Sequence, residues 1–237
     1  MTTTRSPSES EFASEPKPQS VSATQRVYEE LRHRIIRGTI APGEKLKVES
    51  LKILLDTGTS PIREALSLLT SDQLVERIDQ RGFRAATASL SHFQEILELR
   101  CRLEDIALRN SVQNGDSFWE EKLVLEHHRL TQISRKDTDL FEQQHQIFHR
   151  ALIDACGSPI LLKFCSQLYD LNIRYRFLAG KSVHYSKRNV AREHKNILEA
   201  VVKRDADQAS NYLLKHYTTT GEFLSDQLNV SLANHAS

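Results

Sequence analysis

His145 and His149 stand four residues apart in Phe141-Glu142-Gln143-Gln144-His145-Gln146-Ile147-Phe148-His149. On an α-helix that spacing places both imidazoles on one face. Phe141, Phe148 and Leu152 lie close to the same face, so both rings are expected to point into a protein interior rather than into water. His194 and His216 fall on two later helical stretches. Four imidazoles from three helices could converge on one metal ion in a bundle core. The alternative for each is a hydrogen-bonded or surface histidine, because only the pair four apart is constrained locally. His127-His128 are adjacent and cannot share a helix face, and His33, His92, His184 and His235 have no partner at a ligand spacing. All six are expected at the surface.

A second constellation suits nucleic acid. Leu51-Lys52-Ile53-Leu54-Leu55-Asp56 and Ile62-Arg63-Glu64-Ala65-Leu66 are short amphipathic runs either side of Thr57-Gly58-Thr59-Ser60-Pro61, the pattern of a helix-turn-helix. Gly58 is read as permitting the tight turn, Ser60 as an N-cap, and Pro61 as fitting the first turn, where its missing N–H costs nothing. Arg63 then lies near the start of the second helix, where a recognition helix meets the major groove. After Leu74 and Val75, the run Glu76-Arg77-Ile78-Asp79-Gln80-Arg81-Gly82-Phe83-Arg84 reads as two strands about a glycine turn. This adds a wing, with Arg81-Gly82 at its tip and arginines on both sides facing phosphate or a minor groove. The bland reading is a helix-loop-helix-hairpin with surface arginines. The expected DNA-contact set is Lys47, Thr59, Ser60, Arg63, Arg81 and Gly82.

These groups need scaffolds. The chain has 237 residues, 39% of them hydrophobic, enough for two domains and a sizeable core. The expected fold is mainly α: an N-terminal winged helix-turn-helix with a small β wing over residues 21–88, and a C-terminal all-α helical bundle over 89–228. Its first helix is expected over residues 23–37, with Val27, Leu31, Ile35 and Ile36 on one face and Gly38 ending it. Beyond Ala88 the pattern is of six helices, the first capped by Ser89 or Ser91. Residues 1–20, rich in Ser, Thr, Glu and Pro, are expected to be a disordered tail, and residues 229–237 a second tail. No apolar run approaches the ~18 residues of a membrane helix or resembles a signal peptide, so a cytoplasmic location is expected. The three cysteines form no CxxC pair, which excludes a disulfide framework or cysteine zinc site and leaves them as small buried hydrophobes. Net charge is +1, so placement of the arginines, rather than total charge, carries the nucleic-acid argument.

The residues resemble the GntR family of bacterial transcriptional regulators, in its FadR-like branch with an all-helical, FCD-type ligand-binding domain. The resemblance runs from about Gln25 to Phe223. It is carried by Arg34-Ile35-Ile36-Arg37-Gly38-Thr39-Ile40-Ala41-Pro42-Gly43-Glu44-Lys45-Leu46, Ser60-Pro61-Ile62-Arg63-Glu64-Ala65-Leu66, Arg81-Gly82-Phe83, Glu98-Leu99-Arg100 with Leu103-Glu104, Phe148-His149-Arg150-Ala151-Leu152 and Glu193-His194. It implies a homodimer on double-stranded DNA whose helical domain binds a small effector, commonly a carboxylate, often beside a divalent metal held by an Asp and three His. The Asp position is His145 here, so the implied ligands are His145, His149, His194 and His216. Imidazole in place of carboxylate removes one negative charge and favours zinc or nickel over magnesium or manganese. The resemblance also points Arg100 at the effector, a guanidinium suited to bidentate carboxylate contact, against the alternative of a salt bridge to Glu98 or Glu104. Helical phase adds Tyr169 and Asn172 as further effector contacts. A base-reading arginine usual in the family is replaced by Thr59, so the operator is expected to differ from that of relatives which keep it.

The function this implies is a DNA-binding transcriptional repressor on a two-fold symmetric operator, its affinity changed by an organic acid. One rival is a metal sensor in which the ion is the signal. Another is a metal-dependent enzyme, since an open metal position could activate water. No carboxylate is placed as general base for that role apart from Glu193, which faces away from its neighbour His194.

Overall fold

A serine cap and one apolar face make the first helix. Ser22 accepts the Gln25 amide, and Val27, Leu31, Ile35 and Ile36 are buried along α1 (Ala23–Ile36). The computed structural model describes residues 22–78, 81–134, 137–179 and 188–235. The N-terminal tail expected over residues 1–20, and His184, lie outside them.

β1 (Lys45–Leu46) leads into α2 (Val48–Leu55) and α3 (Thr59–Ser71). Two expectations at this turn are corrected. The left-handed residue is Asp56, at φ 44°, whereas Gly58 has an ordinary φ of −78°. A short polar side chain tolerates that region, so no glycine is needed. Nor is Ser60 the cap: α3 starts at Thr59 after Gly58, with no side-chain cap, and Ser60 and Pro61 lie within the first turn. Ile62, Ala65, Leu66 and Leu69 are the buried face of α3.

β2 (Val75–Ile78) and β3 (Gly82–Ala85) pair antiparallel, from Val75 with Ala85 to Ile78 with Gly82. β1 joins the far edge of β3, giving the order β1-β3-β2. That third strand was not legible in the sequence, because two residues are too few to show alternation.

Six helices follow among the described residues. α4 (Leu90–Asn114), α5 (Ser117–Gln132), α6 (Thr138–Ile153), α7 (Pro159–Leu178) and α8 (Val190–Val202) are capped by Ser89, Asp116, Asp137, Ser158 and Asn189, each side chain accepting a first-turn amide. α9 (Ala206–His235) runs on through the stretch expected as a second tail. No proline interrupts it, and Leu224 and Leu228 are still packed in the core. α4 packs against α6, α7 and α9, while α5 packs on α6 and α8, and α8 on α9. Two cores result. One lies among α4, α5, α6, α8 and α9, with Cys165 of α7. The other gathers the winged-helix residues together with Phe93 and Ile96 of α4, Tyr169 to Ala179 of α7, and Leu224 and Leu228 of α9.

Candidate functional site

His145 and His149 of α6, His194 of α8 and His216 of α9 are all buried, and each offers a ring nitrogen within 4.8 Å of the others. His145 Nε2 lies 3.0 Å from His149 Nε2 and 3.3 Å from His194 Nε2. Phe141 stacks on His145 and Phe148 packs edge-on against His149, so the two phenylalanines line up the rings and keep water from them. Burial, reinforced by the neighbouring histidines, holds His145 and His149 well below the usual imidazole pKa. Burial also lowers His216, despite Glu193 beside it. Such imidazoles are neutral at pH 7 and have lone pairs to give.

Outer bonds decide which nitrogen carries the lone pair. Tyr217 donates its hydroxyl proton to Glu104 Oε2, so the 3.0 Å contact between Tyr217 Oη and His149 Nδ1 assigns the proton to Nδ1. His216 Nδ1 lies 2.8 Å from Glu193 Oε2 and donates to it. Both assignments follow from the hydrogen-bond network and leave Nε2 of His149 and His216 unprotonated. Burial pushes the Glu193 carboxyl up, but hydrogen bonds from His216 and Arg188 outweigh it and hold the group at about 2. His145 Nδ1 is buried with no hydrogen-bond partner, and Glu142 Oε2 is 3.8 Å from it.

This donor set fits a borderline-soft divalent cation. Nitrogens bound to one ion at ~2.0–2.1 Å stand roughly 3.0–3.4 Å apart, the separations seen about His145. All-nitrogen ligation suits zinc or nickel.

Beside the cluster lies a cavity of about 400 Å³, its wall including His149, Glu104, Tyr169, Lys122, Arg150 and Gln146. Tyr169 therefore lines this cavity, and burial raises its pKa. Arg100 and Asn172 line a separate hollow of about 10 Å³ with Tyr217 and Gly221. Arg100 Nε donates to Glu104 Oε1 at 2.7 Å and Nη1 to Asn172 Oδ1 at 3.0 Å, with the guanidinium over the Tyr217 and Tyr169 rings. Burial opposes its charge, but Glu104 and Tyr217 outweigh that. Arg100 Nη2 and Tyr169 Oη are buried and carry no bond from the protein. Sequence reasoning had paired Arg100 with a glutamate as the alternative to effector contact, and the pairing with Glu104 is present. Tyr217 carries no signal in the sequence, nor do the bonds of Glu193 to His216 and of Glu104 to Tyr217, since these partners lie on other helices.

Elsewhere the histidine expectations divide. His33 and His128 are exposed. His127 is instead half-buried on Phe148, and His92 bonds the Tyr175 hydroxyl at 2.9 Å. Cys156 and Cys165 are buried and Cys101 partly so, and burial pushes the Cys165 thiol up to about 12.

On the winged helix, Ser60 and Arg63 are exposed on the first turns of α3 with Thr59 half-buried beside them, Lys47 is exposed at the start of α2, and Arg81 and Gly82 are exposed at the wing. Gly82 has φ +96°, which an L side chain rarely adopts, so the turn into β3 requires glycine. Arg77 is also exposed, but Arg84 is spent on Glu76, which further accepts the Thr87 amide and hydroxyl.

Comparison with known proteins places both halves. Residues 23–84 match the model for bacterial regulatory proteins of the gntR family, and residues 95–219 match the FCD domain. Over 202 residues the chain is 37% identical to the uncharacterized HTH-type transcriptional regulator BphR of Paraburkholderia xenovorans (strain LB400), covering 82% of each chain. Over 200 residues it is 32% identical to the HTH-type transcriptional repressor GlaR of Escherichia coli (strain K12), covering 81% of this chain and 91% of that one. The solved structure of E. coli McbR/YncC superposes with a TM-score of 0.77 at 22% identity, covering 88% of this chain and 99% of the other, a likeness of fold. Relatives and fold alike are those of transcription factors, not enzymes. With a winged helix that presents α3 and a wing to solvent, joined to a histidine-lined helical domain, the chain belongs to the GntR family of transcriptional regulators and carries an FCD domain.

Proposed function

We propose that the chain is a repressor that binds a two-fold operator as a homodimer in the cytoplasm and changes its affinity when an organic acid enters the helical domain beside a zinc or nickel ion. The observation that carries this reading is the convergence of four buried imidazoles next to a cavity of about 400 Å³. A divalent ion at these nitrogens would supply a Lewis-acidic positive centre able to bind a carboxylate. Tyr169 Oη, buried without a protein partner on the cavity wall, offers that acid a hydrogen bond. The set Lys47, Thr59, Ser60, Arg63, Arg81 and Gly82 is proposed as the DNA-contact surface. No helix among the described residues is long and apolar enough to cross a membrane.

α7 links the two ends. Its Tyr169 and Asn172 face the cavity and Arg100, while Asp170 accepts Arg32 of α1 at 2.9 and 2.5 Å. Arg174 donates to Ala86 O at 2.5 Å, just beyond the wing, and Gln167 to Ser71 O at the end of α3. A ligand that bound more tightly to one placement of α7 would favour one placement of the winged helix, and no other property of the ligand could do so.

The test is elemental analysis of untagged protein, wild type against His149→Ala. About one zinc or nickel per wild-type chain, absent from the variant, is the expected result; no metal in either sinks the metal half of the reading. A second reading, the ion itself as signal, is favoured by how completely the histidines are enclosed. It requires operator affinity to respond to zinc with no organic acid added.

A further inference from the structure

The four imidazoles bring no negative charge to the ion they would hold. Two carboxylates stand outside that shell, one bonded to a ligand histidine directly and one through a hydroxyl. Glu104 reaches His149 through the Tyr217 hydroxyl, and Glu193 bonds His216 directly at 2.8 Å. Each carboxylate is itself held by an arginine: Arg100 to Glu104 at 2.7 Å and Arg188 to Glu193 at 2.5 Å.

We propose that Tyr217, with Glu104 behind it, and Glu193 are positioning residues of the histidine site, which fix the proton on Nδ1 of His149 and His216 and turn Nε2 towards the shared centre. The inference rests on the metal reading above. Its physical basis is the tautomer. A neutral imidazole has one protonated nitrogen, and without an acceptor at Nδ1 the proton is free to move to Nε2 and block ligation. The acceptor also makes the ligating nitrogen more basic. Tyr217 is placed for this role by being both acceptor and donor: its oxygen accepts the hydrogen bond from His149 Nδ1–H while its own proton is committed to Glu104. Phenylalanine at 217 keeps the ring and removes only that oxygen. Because Arg100 holds the other oxygen of Glu104, the route His149–Tyr217–Glu104–Arg100 also makes the buried cation part of the same assembly.

The experiment is zinc affinity by competition against a chromophoric chelator, on untagged full-length wild type, Tyr217→Phe, Glu193→Gln and Glu193→Asp. Cobalt(II) spectra of the same proteins report ligand geometry independently of fold. Zinc binding weakened ~10–100-fold in Tyr217→Phe and Glu193→Gln, with altered cobalt bands, metal-free melting close to wild type and partial rescue by Glu193→Asp, supports the proposal. Zinc held by the wild type and equally by both variants overturns it and leaves the metal reading standing. A wild type that takes no zinc overturns both. Should Tyr217→Phe fail to fold, Glu193, whose side chain is 28% exposed, carries the test alone.

Discussion

At the scale of single residues, Arg63 carries the clearest prediction. It is exposed near the start of α3 on the surface proposed to meet a major groove, so Arg63→Ala should weaken operator binding by ~1–3 kcal/mol if the side chain reads a base. Binding isotherms on operator and random DNA, at one stated salt concentration, check it. Equal losses on both would make Arg63 a phosphate contact, and no loss on either would remove it from the interface. Legibility at this scale followed sequence distance. His145 and His149 showed themselves through helical spacing, whereas Tyr217 bonds Glu104 across 113 residues and His149 across 68. No local period encodes such a contact, because which helix faces which is settled only when the bundle packs. Gly58 and Ser60 have other local roles than their types suggest, since Asp56 takes the left-handed turn that glycine was expected to supply and α3 begins at Thr59 with no side-chain cap.

Among the elements, the wing and the α4–α5 corner make different demands. Glu76 on β2 is held below the usual carboxylate range first by the Thr87 amide and then by Arg84 and the Thr87 hydroxyl. A carboxylate whose folded pKa is lowered adds stability that is present above its unfolded pKa of ~4.3 and is lost as pH falls through the folded value. Glu76→Gln should therefore lower the melting temperature at pH 7, and its difference from wild type should shrink as melts are run towards and below pH 4. An undiminished difference at acid pH would mean the carboxylate charge is not what braces the wing. At the other corner, a Cβ on Gly115 would stand 2.0 Å from Trp119 Cε3 and 2.7 Å from Ser111 O. The indole is pinned by its N–H bond to Ala151 O at 2.7 Å. Gly115→Ala should cost about 1–3 kcal/mol as overpacking, read as a fall in melting temperature of roughly 2–4 °C per kcal/mol for a chain of this size. The helices beyond Ala88 were legible here in their apolar pattern, and of their caps Ser89 was legible too. β1 was not, and α9 runs past its expected end with no proline to stop it.

Taken whole, the molecule is less divisible than a two-domain reading suggests. The sequence changes character near Ala88, and that boundary is visible in composition. The packing ignores it: the apolar residues of α1, α3 and β2 share one buried cluster with α7 and the ends of α4 and α9. Arg32 and Asp170 tie the two sides with charge, and Arg174, almost wholly buried on α7, spends a donor on the carbonyl of Ala86. Such an arrangement has a folding consequence. The winged helix has no complete interior of its own, so residues 22–88 expressed alone should be less stable than the same residues in the full chain and prone to self-association through the face that α7 covers. The full chain should melt in a single calorimetric transition, and two separated transitions would show that the shared cluster does not couple them. A regulator whose winged helix borrows its interior from the helical domain needs no separate signalling linker, because whatever loosens or tightens that domain alters the ground on which the winged helix stands.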